Sequence, residues 1–120
     1  MGTYNIVANV PATCPKCRAK VSVGVQFKFG ATWQYRYLVG DVLRWGGNDV
    51  GTPGRARIVA DGAADSPCSA CGYTGDWDFY VFIEHDRIVR IAEADGTYDF
   101  VCAGSTYLEI GAGEGYPPSR

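Results

Sequence analysis

The chain has 120 residues, a net charge of −2 and no apolar run approaching the roughly 20 residues of a membrane span. With 47% hydrophobic and 20% charged residues it has the composition of one soluble domain, and 16 glycines with 13% aromatics favour turns and strands over helices. A sequence pI near 5.2 works against non-specific nucleic-acid binding.

The neutral average hides polarised halves. Residues 1–60 carry eight Lys/Arg against Asp41 and Asp49 (+6), and residues 61–120 carry three Arg against eleven acids (−8). Such a split predicts intramolecular pairing or a two-faced surface.

Taken in order, Tyr4, Ile6, Ala8 and Val10 alternate with Asn5, Val7 and Asn9, a strand expected to end at Pro11. The pair Cys14-Pro15-Lys16-Cys17 follows, with Lys16, Arg18 and Lys20 placed to favour thiolates. From Lys20 to Phe29 the alternation is clearest, with Val21, Val23, Val25, Phe27 and Phe29 on one side. Gly30-Ala31-Thr32 then reads as a hairpin loop that sets Phe29 against Trp33 and Phe27 against Tyr35, with Tyr37 on the same apolar face. A short strand is expected at Val42–Trp45, and the glycine-rich stretch from Gly46 to Gly54 is a loop.

Ala56, Ile58 and Ala60 form another strand, reaching the second pair, Cys68-Ser69-Ala70-Cys71, through an Asp61–Pro67 loop. Phe79 to Ile83 is apolar throughout and predicts a strand covered on both faces. Turns at His85-Asp86 and Asp95-Gly96 would make residues 78–102 a three-stranded meander, with Phe82 facing Val89 and Cys102 buried beside Val89 as an inert thiol. A last strand lies within Ser105–Ile110. The expectation is an all-β, antiparallel domain over residues 1–110 with little or no helix, followed by a flexible tail at 111–120.

Each C-x-x-C can present two thiolates from one tight turn, and two such turns supply the four soft ligands of a tetrahedral zinc. The rivals are redox chemistry and two local disulfides. A redox C-x-x-C normally opens a helix in a βαβ setting, which this sequence lacks, and five cysteines suit a reducing compartment better than a secreted disulfide framework. Together with a Met1–Val10 start that lacks the pattern of a signal peptide, this predicts a cytoplasmic protein.

The order strand, C-P-x-C, strand and later strand, C-x-x-C-G, strand resembles the zinc-ribbon or zinc-knuckle class, carried by Cys14, Pro15, Cys17, Cys68, Cys71 and Gly72. The resemblance implies one closed, structural zinc joining two hairpins. Arg18 departs from it, standing where the first knuckle commonly has glycine, and the long insertion from Arg18 to Pro67 calls for a larger β domain around the site.

For function, the expectation is a non-catalytic interaction module, of bacterial type, with a protein partner. The first alternative is a nucleic-acid-binding zinc protein that tracks phosphates with Lys16, Arg18, Lys20, Lys28 and Arg36. The second is a small hydrolase centred on the single histidine, His85.

Overall fold

Asn5 is fully buried, and its side chain sets the path of the first third of the chain. Its Nδ2 donates to the carbonyls of Phe29 (3.2 Å) and Ala31 (3.0 Å), while its Oδ1 accepts the Tyr35 N–H (3.1 Å). One amide thus satisfies three backbone groups inside the core, where each would be costly unpaired.

A computed structural model describes residues 4–110 and places nine strands in the order β1 Asn5–Thr13, β2 Lys20–Phe27, β3 Gly30–Ala31, β4 Arg36–Tyr37, β5 Asp49–Val50, β6 Ile58–Ala64, β7 Asp78–Glu84, β8 Arg87–Glu93 and β9 Tyr107–Glu109, with a single helical turn, α1, at Phe100–Ala103. The principal sheet runs β4-β1-β2-β6-β7-β8, with β9 also on β6 and a separate β3–β5 pair. The all-β expectation therefore holds, in a curled sheet made mixed by the parallel β1–β4 pair. The expected tail at 111–120 lies outside the described residues.

The hairpin expected at Gly30–Thr32 does not form. Gly30 and Ala31 are buried and pair with Val50 and Asp49, and the chain returns as β4 parallel to β1. The Asn5 amide explains this, since it holds residues 29, 31 and 35 around one point instead of letting them run as two arms. Of the aromatics assigned to the apolar face, Tyr37 is buried, Tyr35 is half-buried and Trp33 is 57% exposed.

β1 continues through Pro11, which pairs with Ser22 where β4 no longer covers β1, so the missing N–H is tolerated at an edge. A register shift between Val7 and Val10, with Asn9 at φ 58°, inverts the strand's phase. Asn5 and Val7 point inward before it, Val10, Ala12 and Cys14 after it. The single alternation expected from Tyr4 to Val10 is thus broken, and the bulge is what turns Cys14 toward the core side.

β6 runs on through the expected loop as far as Ala64. Gly62 permits it, because a Cβ there would meet Val25 Cγ1 at 2.7 Å across the β2–β6 seam. The apolar run of β7 is covered on both faces, as expected. Phe79, Val81 and Ile83 join the main core with Val7, Val25 and Phe27, whereas Tyr80 and Phe82 join a second cluster with Val59, Phe100 and Ile110. Each such buried side chain stabilises by about 1.5–3 kcal/mol.

The β7–β8 hairpin turns at His85 and Asp86, both at positive φ (49° and 69°), and begins with Glu84 opposite Arg87 and Ile83 opposite Ile88. A shift at this point sets Phe82 opposite Arg90 and leaves Val89 exposed, which corrects the expected Phe82–Val89 pair. The third meander strand is also absent. The N–H groups of Gly96 and Tyr98 both donate to the Tyr80 hydroxyl (3.0 and 3.2 Å), drawing the chain across the second cluster and into α1. The expected strand position of Cys102 thus becomes part of a helical turn, and its side chain lies outside the described residues. The Val42–Trp45 strand reduces to one bridge, Val42 to Arg87, and the Gly46–Gly54 loop contains only the two residues of β5.

Replacing Asn5 by Ala strands two carbonyls and one N–H in the core. The expected cost is roughly 2–4 kcal/mol, read as a lowered denaturant midpoint; an unchanged midpoint would contradict the organising role of this amide.

Candidate metal centre

Two hairpins deliver the cysteines. β1 and β2 close at Thr13 opposite Lys20, and the Cys14–Cys17 turn caps them; β6 and β7 close at Ala63 opposite Asp78, with the Cys68–Cys71 turn beyond. Because β2 pairs with β6 through Val25–Ala64, Gln26–Ala63 and Phe27–Gly62, both tips project from the same end of the sheet.

Each tip has the same local geometry. In the first, the Cys14 N–H donates to Ala19 O (3.0 Å), the Arg18 N–H to Cys14 O (3.0 Å), and the Lys16 and Cys17 N–H groups to Cys14 Sγ (3.3 and 3.4 Å). In the second, the Cys68 N–H donates to Tyr73 O (3.0 Å), the Gly72 N–H to Cys68 O (2.8 Å), and the Ala70 N–H to Cys68 Sγ (3.3 Å). The residue after the second cysteine takes positive φ in both, 79° at Gly72 and 64° at Arg18. Arg18 therefore adopts the conformation that a glycine would take more cheaply.

The four sulfurs converge within 4.8 Å of one another, with Cys14–Cys71 at 3.7 Å and Cys17–Cys68 at 3.8 Å. Tetrahedral bonds of about 2.3 Å give an S···S edge of about 3.8 Å, so the cluster is sized for one ion. All four are free thiols, which sets aside the local disulfides. Cys14 and Cys68 are buried and Cys17 and Cys71 exposed.

The thiols do not ionise alike. Burial opposes the Cys14 thiolate, but the N–H groups of Cys17 and Lys16 and donation from neighbouring thiols outweigh it and bring its pKa down to about 6. At Cys71 the N–H of Tyr73 favours the thiolate, yet burial and the crowding of the other three sulfurs prevail and push it up to about 12. Four sulfurs at this spacing share protons until a cation takes their place. The arrangement can hold one soft metal ion.

Compared with known protein families, with curated proteins and with solved structures, the chain gives no match.

The remaining candidates fall in three places. Lys16, Arg18 and Lys20 are exposed on or beside the first tip. Lys20, Gln26 and Lys28 lie on the outer side of β2, opposite buried Val23, Val25 and Phe27. Arg36 reaches that same side by a different route from the one expected, in a lateral row Arg36–Ile6–Gln26–Ala63–Asp78 that crosses β4, β1, β2, β6 and β7. His85 stands exposed on its turn.

Sequence reasoning missed the acids that share this surface. Asp61 and Asp78 line one groove with Lys28 and Gln26, and Asp65 lies over Gly24, where a Cβ would come within 2.8 Å of its Cγ. Their alternation was hidden by the loop expected at Asp61–Pro67.

Exchanging Arg18 for Gly removes a left-handed non-glycine residue at a cost of about 1 kcal/mol. The metal-loaded R18G chain is expected to melt higher than the parent by a few degrees. A lower melting temperature would mean that the arginine side chain itself supports the tip.

Proposed function

We propose that this chain is a non-catalytic β domain held together by one structural zinc, acting by docking onto another macromolecule. The supporting observation is the convergence of four cysteine sulfurs from two turns of equal geometry. Soft thiolates in tetrahedral spacing suit zinc, and four protein ligands leave no open position for water or substrate. The backbone N–H groups donated to Cys14 Sγ and Cys68 Sγ offset thiolate charge and orient these sulfurs, as suits a closed site. A reducing, cytoplasmic setting would keep the four thiols available to the metal. No helix among the described residues is long and apolar enough to cross a membrane.

The second reading, nucleic-acid binding, is favoured by Lys20, Lys28 and Arg36 on one face. The acids Asp61, Asp65 and Asp78 on that face oppose it, because a phosphate backbone would meet both signs at once.

Purified chain is expected to carry one zinc, and cobalt in its place should give the absorption of a tetrahedral tetrathiolate. Since the unfolded chain has no preformed site, removing the metal with a strong chelator should lower the unfolding midpoint sharply, and Cys68→Ala should do the same while abolishing stoichiometric metal. Metal-free protein that melts at the same temperature would refute the structural role. Loss of an RNA affinity in K28E/R36E, with steep salt dependence in the parent, would select the second reading.

A further inference from the structure

The outer side of the sheet is covered only in part. Over Val59, Tyr80 and Phe82 it is closed by Tyr98, Phe100, Leu108 and Ile110. Over β4, β1, β2 and the end of β6 no described residue closes it, and Ile6, Gly24, Gln26 and Ala63 remain half-exposed as a low floor.

Charge divides this open part into two strips. Lys20, Lys28 and Arg36 stand on the β2–β4 side, Asp61 and Asp78 on the β6–β7 side, and Asp65, just past β6, reaches over Gly24 at the boundary between them. Among the described residues none of the six forms an ion pair; the salt bridge found there is Arg55–Glu109, elsewhere. Lys28, Asp61 and Asp78 border a shallow groove of about 200 Å³ where the strips meet.

We propose that this face docks onto a second copy of the chain, the cationic strip of each copy lying over the acidic strip of the other. A two-fold axis in the plane of the face and along the strands performs this superposition, and it satisfies both strips at once, as an isologous interface must. A uniformly anionic partner would instead leave three aspartates facing like charge, and a uniformly cationic one three cations. Burial and the Asp78 carboxylate already push Asp61 upward, a repulsion that the chain alone does not relieve and that a partner's cation would. This inference names the partner within the docking reading above.

The test is sedimentation velocity on the whole metal-loaded chain, over a range of protein and salt concentrations. The parent is expected to dimerise, with a dimer fraction that falls as salt rises. K28E/R36E and D61K/D78K should each weaken self-association by at least about tenfold, and mixing the two should restore a heterodimer, since one face then keeps Lys20 as its only cation of the six and the other Asp65 as its only acid. A parent that stays monomeric at every concentration, a dimer indifferent to salt, or two folded variants that fail to combine would overturn the proposal. If either variant fails to fold, the parent's salt titration decides alone. Metal content is measured on the same samples, so failure to dimerise with zinc in place refutes self-docking and leaves the structural zinc standing, whereas absence of metal refutes that reading instead.

Discussion

Three residue pairs between β2 and β6 hold the two cysteine-bearing hairpins together within the sheet, and the metal centre depends on them. Beyond Val25 and Ala64 the hairpins are no longer joined by the ladder, apart from the Asp65 N–H donated to Gly24 O. A three-pair seam leaves the exposed parts of the two tips with conformational entropy to recover by separating. An ion held by the four thiolates would supply the missing constraint, since structural zinc sites contribute about 10–16 kcal/mol of apparent binding free energy at neutral pH. Seam and ion would thus depend on each other: the seam sets the tips close enough to share a metal, and a bound metal would keep them from splaying.

The phase of β1 is equally necessary. A strand without the Asn9 irregularity would keep odd-numbered residues inward and turn Cys14 to solvent. The bulge exchanges the parity, so that Val10, Ala12 and Cys14 follow one another on the buried side. Burial of Cys14 and Cys68 anchors one edge of the sulfur tetrahedron in the main core, and Trp77 packs in the same cluster. The other edge, Cys17 and Cys71, faces water, which is where an ion can enter without unfolding the hairpins.

These dependencies explain what could be read from the residues. The two C-x-x-C pairs carry their chemistry locally, so spacing alone singled out the four cysteines that the fold brings together. The strands at Lys20 and Phe79 were equally legible, because strict alternation and a continuous apolar run each report a simple burial pattern. The Gly30 hairpin failed on a non-local cause: nothing near residue 30 announces that Asn5 will claim the carbonyls of Phe29 and Ala31 on either side of it. The Asp95-Gly96 turn failed similarly, since a tyrosine hydroxyl on β7 takes the N–H groups that a hairpin would need differently placed. In β6, Asp61 and Gly62 carry the composition of a loop, yet Asp61 faces outward and Gly62 is wanted for the close approach to Val25.

The polarity of the sequence acquires its meaning only through this topology. An excess of +6 in the first half and −8 in the second says nothing about surfaces until the strands are ordered. With β4, β1 and β2 on one side of the seam and β6 and β7 on the other, the two halves of the sequence become two halves of one face. The seam that aligns the cysteines is therefore also the boundary between the charged strips. A substitution that shifted the β2–β6 register would disturb metal ligation and surface electrostatics together, whereas the charged side chains point away from the core and can be exchanged without touching the sulfurs.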